Sequence, residues 1–319
     1  MLSTKLGPFK LDNCIYNASG VKCKTQLELG YLYNINSPVS IVLSKSCTLE
    51  ERTGNEGPIY HEDIQKKISI NSSGLPNGGY KYYGEIAKHF KNSRTLMYSK
   101  KKPFILSVSG MTLDDNLRMC QYANNNKYID AIELNLSCPN VIGKPQIGYE
   151  FDDMENVIRQ VSETIDKRFP IGLKLPPYFD ISHYDKAASI INEFKIDMIT
   201  CINSIGNTLI VDSDAECVLI RPKNGMGGLG GSYIKPIALA NVNYFYKNTK
   251  CDIIGCGGIV SGKDAFEHIL CGASALQLGT IFSIEGLSAF DRINKELMAI
   301  MEKKKYTNID DFKGKLKYF

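Results

Sequence analysis

The chain has 319 residues, 43% hydrophobic and 23% charged, a balance that suits a globular protein with a sizeable core and excludes a disordered one. Thirty-eight Lys and Arg against 34 Asp and Glu leave a net charge of +4 dispersed along the chain, which excludes the concentrated basic surface of a nucleic-acid binder. Ten cysteines occur without a C-x-x-C pair, which argues against a cysteine-ligated iron–sulfur cluster and for a reduced, cytoplasmic setting.

The opening Met1-Leu2-Ser3-Thr4-Lys5 lacks the apolar core of a signal peptide, and no run approaches the roughly 18 to 20 apolar residues of a membrane span. Short apolar runs then alternate with helical patterns. The predicted strands are Cys14 to Ala18, Val39 to Ser44, Pro103 to Val108, Ala131 to Leu136, Ile171 to Leu175, Asp197 to Ile202, Asp252 to Cys256 and Ala275 to Leu278. Two connections, Ser46 to Lys102 and Asn203 to Lys250, are too long for simple crossovers and read as insertions with structure of their own. The tract Ser99-Lys100-Lys101-Lys102-Pro103 reads as a solvated loop without function. Ser182 to Phe194 predicts an amphipathic helix with Ala187, Ile190, Ile191 and Phe194 on one face, Ser182 as its cap and Asp185 in its first turn. Ser261 begins a second helix carrying Phe266, Ile269 and Leu270, which the chain leaves at Gly272. Eight βα alternations predict a single (β/α)8 barrel spanning residues 1 to 319. An open doubly wound sheet would concentrate a G-x-G-x-x-G phosphate signal after its first strand, and none is present.

A barrel of this kind builds its site where strands end at the C-terminal face. Those ends here are polar and glycine-rich: Asn17-Ala18-Ser19-Gly20, Ser44-Lys45-Ser46, Asn135 through Asn140, Lys174, Asn203-Ser204, Gly257-Gly258 and Gly279-Thr280. Glycines at the last two strand ends favour a bound phosphate, since backbone N–H groups approach an anion only where no Cβ intervenes. The stretch Gly227 to Gly231 offers further amides. Lys45 and Lys174 stand at the ends of apolar strands, where two lysines beside a phosphate site suit a large, electron-accepting ligand such as a flavin. None of His61, His89, His183 and His268 follows a strand end, so neither a histidine-assisted nucleophile nor a histidine metal site is expected. Cys138 is the candidate base, because it lies just past a strand end between two asparagines and a thiol near pKa 8.5 can be drawn into its thiolate. Asn71, Asn135, Asn140, Asn203 and Ser204 offer donors and acceptors without charge and read as a cage for a planar, amide-rich ring.

These residues resemble the class 1 dihydroorotate dehydrogenases, and within them the homodimeric branch that uses fumarate. The resemblance runs essentially end to end. It rests on Asn17 to Gly20, Ser44-Lys45-Ser46-Cys47-Thr48-Leu49-Glu50, Asn71 through Gly74-Leu75-Pro76-Asn77, Glu133-Leu134-Asn135-Leu136-Ser137-Cys138-Pro139-Asn140, Lys174-Leu175-Pro176-Pro177, Asn203 to Asn207, and Gly255 to Gly258. It implies a soluble enzyme of pyrimidine biosynthesis that oxidises dihydroorotate to orotate with FMN and fumarate. Cys138 would take the C5 proton. Lys45, Asn71, Gly74, Leu75, Asn135, Asn140, Asn203 and Ser204 would hold the substrate. Ala18, Ser19, Gly20, Lys45, Ser46, Asn135, Lys174, Ile202, Gly231, Gly257, Gly258, Gly279 and Thr280 would hold FMN. Membrane-bound relatives use serine as base and an N-terminal anchor, and this chain is expected to have neither. Ser73 and Met226 depart from the methionine and phenylalanine usual at those places. Two alternatives stand beside this reading: an NAD-linked catalytic subunit of the same family, against which the Pro139 to Pro145 loop is set, and a Schiff-base aldolase using Lys174.

Overall fold

The computed structural model describes residues 1–319 apart from 99, 139, 141, 142 and 144. Among the described residues, eight strands form one parallel sheet: Ile15–Asn17, Val42–Leu43, Phe104–Val108, Ala131–Asn135, Ile171–Lys174, Met198–Cys201, Asp252–Cys256 and Ala273–Leu278. Each lies within or overlaps a predicted run. In order around the sheet the first strand pairs with the eighth, and the pairing then descends to the second. Nearly every strand residue is buried, as expected where helices cover one side of a parallel sheet and side chains fill the other. Among the described residues, no strand ladder joins the first strand to the second. The buried Asn17 bridges that seam: its Nδ2 donates to Leu43 O at 2.8 Å and its Oδ1 accepts from Leu43 N at 3.1 Å. Farther down, Ser40 N donates to Ile15 O at 3.3 Å.

The covering helices follow from sequence spacing. Helix Tyr80–Asn92 buries Tyr83, Ile86, Ala87 and Phe90, positions i, i+3, i+4 and i+7 of one stripe. Helix Ile181–Glu193 buries Tyr184, Ala187, Ile190 and Ile191, but its cap is Asp180, whose side chain accepts from Ser182 N. The expected cap, Ser182, lies in the first turn, because a carboxylate two residues earlier accepts from a free amide there. Phe194 follows the helix as its partly buried terminus. Helix Gly262–Leu270 begins as expected, with Ser261 accepting from Asp264 N.

The lysine tract also differs from expectation. Lys102 is buried, donating from Nζ to Leu32 O and Ser37 O at 2.9 Å each. It satisfies carbonyls around the C-terminal end of helix Gln26–Tyr33, which otherwise lack intrahelical donors. Ser99 lies outside the described residues.

Both long connections contain ordered elements, and they meet. Strands Tyr60–Asp63 and Ile68–Asn71 from the first join Ile205–Thr208 and Gly227–Gly231 from the second in a four-stranded antiparallel sheet. Gly227–Gly231 is thus a strand, where the sequence suggested a source of anion-binding amides. Its glycines let it lie against neighbouring backbone: at Gly231, with φ +90°, a Cβ would fall 2.2 Å from Lys67 O. At the opposite end a hairpin of Thr4–Leu6 and Phe9–Leu11, which the sequence reading missed, lies beside the barrel.

Candidate active site

One cleft, enclosing about 1130 Å³ of empty space with its open mouth included, is lined by residues from the strand ends and from the antiparallel sheet. Every residue expected to act as base or to hold substrate or cofactor lines it. The first strand end brings Ala18, Ser19 and Gly20, the second Lys45 and Ser46, and the first insertion Asn71, Gly74 and Leu75. The fourth strand end brings Asn135, Cys138 and Asn140, the fifth Lys174, the sixth Ile202, Asn203 and Ser204, and the second insertion Gly231. Gly257, Gly258, Gly279 and Thr280 close the wall at the last two strands. Of the two departures, Ser73 lines the cleft and Met226 is exposed outside its lining. Pro139 lies outside the described residues, as do 141, 142 and 144 in the loop to Pro145.

The asparagines form a hydrogen-bonded set. Asn140 Nδ2 donates to Asn71 Oδ1 at 2.8 Å, and Asn71 Nδ2 donates to Gly228 O at 3.1 Å. Asn203 Nδ2 donates to Ser137 O at 2.5 Å, while Asn203 Oδ1 accepts from Ser204 N at 2.8 Å. Asn135 Oδ1 accepts from Ser137 N at 3.0 Å and its Nδ2 donates to Ser46 Oγ at 3.3 Å. These bonds lock side-chain orientations before any ligand arrives, which lowers the ordering cost of binding. One acceptor is left over: Asn140 Oδ1 is buried and has no hydrogen-bond partner among the described residues. A buried acceptor without a partner costs free energy, so this atom suits a ligand N–H.

The glycine wall is tight on its outer side. At Gly258, with φ +74°, a Cβ would fall 2.7 Å from Lys235 N. Two neighbouring features escaped sequence reasoning. His268 is fully buried, and its Nε2 lies 3.0 Å from Gly257 O, so a neutral ring can donate to that carbonyl and brace the turn. Burial lowers its pKa to about 4. Gln277 lines the floor beside Lys174, accepting from Lys174 Nζ at 3.0 Å. Its signal was a polar residue two positions before Gly279, hence on the same face of an apolar strand.

Thiol environment separates Cys138 from Cys14, Cys23 and Cys120. Burial pushes Cys14, Cys23 and Cys120 up to about 12, and such thiols are inert near neutral pH. Cys138 is only half-buried and faces the cleft.

Fold and site together define a (β/α)8 barrel whose C-terminal mouth pairs a tight glycine wall with a thiol, two lysines and an amide cage. The model of the dihydroorotate dehydrogenase family matches residues 1–301. Over 99% of this chain and 98% of the relative, 48% of residues are identical to the dihydroorotate dehydrogenase (fumarate) of Saccharomyces bayanus. Over the whole chain and 99% of the relative, 46% are identical to a probable dihydroorotate dehydrogenase A (fumarate) of Streptococcus pneumoniae. The crystal structure of the Eimeria tenella enzyme in complex with ferulenol shares the fold, with a TM-score of 0.81 and 19% identity over 98% of this chain and 88% of that one. The chain belongs to the dihydroorotate dehydrogenase family.

Proposed function

We propose that this chain oxidises dihydroorotate to orotate in pyrimidine biosynthesis, with Cys138 as the base and FMN as the bound cofactor. The observation that carries the reading is the meeting of Cys138, the asparagine set with its unpartnered Asn140 Oδ1, and Lys174 in one cleft. The residues fit FMN. Gly257 and Gly258, at φ +123° and +74°, offer the phosphate a stretch of backbone where a side chain would be strained, Gly279 and Thr280 stand beside them, and Lys174 offers the ring a buried cation at the floor. Gly231 completes the phosphate side, and Ala18, Ser19, Gly20, Ser46, Asn135 and Ile202 line the remainder. FMN, when bound, supplies the acceptor for the hydride leaving substrate C6.

The chain's own groups do the rest. Asn71, Asn140, Asn203 and Ser204 hold the dihydropyrimidine ring and its carboxylate, with Gly74 and Leu75 alongside, and Lys45 adds a cation for that carboxylate. The Cys138 thiolate accepts the C5 proton at Sγ. The four-stranded sheet over the mouth restricts water, strengthening each of these interactions. Lys174 is hydrogen-bonded to Gln277 at the floor, an arrangement suited to a fixed cation rather than to the Schiff-base nucleophile of the alternative reading.

Fumarate is the proposed terminal acceptor, by likeness to the relatives named above, in preference to NAD through a partner subunit. The chain is proposed to act as a single barrel domain in a cytoplasmic homodimer. No helix among the described residues is long and apolar enough to cross a membrane. The test is to purify the chain alone, identify any released flavin, and compare fumarate, NAD and a quinone as oxidants of dihydroorotate. FMN release and fumarate-dependent orotate formation are expected. A colourless protein that leaves dihydroorotate unchanged defeats the proposal.

A further inference from the structure

Behind the cleft floor, three barrel strands join two buried charged side chains through one amide. Lys174, 3% exposed, donates from Nζ to Gln277 Oε1 at 3.0 Å. Gln277 Nε2 donates to Glu133 Oε2 at 2.7 Å, and Thr200 Oγ1 donates to that same oxygen at 2.8 Å. Gln277 Nε2 also lies 3.1 Å from the Tyr16 hydroxyl oxygen. Glu133 is 3% exposed, and its Oε1 has no hydrogen-bond partner among the described residues.

Donor chemistry orients this network. An ammonium only donates, so the amide oxygen must face Lys174 and the amide nitrogen must face Glu133. Oε2 receives two donors, so it carries no proton. A neutral Glu133 would have to carry its proton on Oε1, where the network provides no acceptor. The bonds therefore suit a carboxylate, and an ionised carboxylate buried this deeply calls for a nearby cation. Lys174 is the cation to which the network connects it.

We infer that Glu133 is the counter-charge of Lys174, coupled to it through Gln277, and that this relay sets the reduction potential of the flavin that the cleft binds. The inference rests on the flavin reading above. Glu133 does not line the cleft and acts as a positioning residue. A reduced flavin is richer in electrons than an oxidised one, so a cation at the floor favours reduction. A carboxylate behind that cation offsets part of its field. Without the offset the reduced form would be held too firmly to release its electrons readily.

The experiment is a reductive titration of the purified holoprotein against a reference dye, with thermal melting in parallel. Glu133→Gln keeps the shape and removes the charge. It should favour the reduced over the oxidised form by about tenfold, on the order of 30 mV upward for a two-electron couple. Gln277→Met keeps both charges and severs the relay, and should shift the potential upward by less. Thr200→Val removes one hydrogen bond to the same carboxylate and keeps its charge, so melting should fall while the potential stays at the parental value. An upward shift in Glu133→Gln and Gln277→Met, absent in Thr200→Val, supports the inference. A parental potential in Glu133→Gln, or an equal shift in all three, overturns it. Gln277→Met at the parental potential overturns the relay, and that variant carries the test if Glu133→Gln does not retain cofactor. A parent protein without flavin counts against the proposed function, whereas a flavin-bearing parent with unmoved variants counts against this inference alone.

Discussion

The two ends of the barrel use polar groups in opposite ways. At the N-terminal end, carboxylates near strand starts are spent on backbone. Asp130 Oδ2 accepts from Phe104 N at 2.7 Å, Asp197 Oδ2 from Ile171 N at 2.9 Å, and Asp252 Oδ2 from Gly7 N at 2.7 Å. These bonds tie strands and the N-terminal hairpin together. At the C-terminal mouth, polar side chains hold one another in place and leave capacity over, as at Asn140 Oδ1. The first arrangement stabilises the fold, and the second carries an unsatisfied acceptor that a ligand can relieve. Polar residues at a barrel mouth therefore deserve a different reading from polar residues at its base, even at equal burial.

The comparison is sharpest when one mouth residue is removed without touching the fold. Cys138→Ala should keep flavin and bind orotate, while anaerobic reduction of the flavin by dihydroorotate slows by about 10² to 10⁴. Cys138→Ser should retain activity that rises with pH, since a hydroxyl gives up its proton less readily than a thiol. Stopped-flow absorbance across pH reads both. Parental rates in Cys138→Ala at pH 7 would end the assignment of the base.

His268 joins the two kinds of role, because it is a core residue that braces a mouth turn. Its folded pKa of about 4 lies below the ordinary 6.5, so between those values the unfolded chain binds the extra proton. Stability from the neutral ring is therefore present above about pH 6.5 and is lost as pH falls towards 4, by about 3 kcal/mol in all. His268→Gln, which keeps a donor for Gly257 O, should show a flatter loss over that window in urea melts. Parallel pH profiles for variant and parent would remove His268 from the account.

At the base, Asp252→Ala strands the Gly7 amide and should cost about 1 to 3 kcal/mol. KM for dihydroorotate should not change, and a raised KM with unchanged melting would erase the distinction between the two ends. The smallest effect is expected at Asp180→Ala, which removes a helix cap and should lower the melting temperature slightly. The corresponding Ser182→Ala should cost less, because Ser182 is not the cap. Equal losses in the two would reverse that assignment.

Much of the barrel was legible in the chain. Apolar runs bounded by Gly, Ser, Asn and Lys marked the eight strands, and the polar residues directly after them marked the mouth. Cys138 and the asparagines stood out because a strand end at the C-terminal face has a fixed direction once the fold is known. Other features were hidden for physical reasons. Lys102 sits in a run of lysines, where local pattern favours solvent, and its burial depends on carbonyls at Leu32 and Ser37 that only folding brings near. Asp180 rather than Ser182 is the cap because the choice depends on a shift of two residues, below the precision of a periodic pattern.

The sequence by itself thus determined the eight barrel strands, their order along the chain and the family, since short apolar runs and strand-end chemistry are short-range signals. Tertiary structure alone decided that Asn17 bridges the seam between first and second strands, and that two insertions meet as one sheet over the mouth. It also brought Glu133, Lys174 and Gln277 into one network. Glu133 and Gln277 are 144 residues apart in the chain, and alternation says only that each can point inward. Which inward side chains touch is set by barrel closure, through the stagger and tilt of all eight strands together.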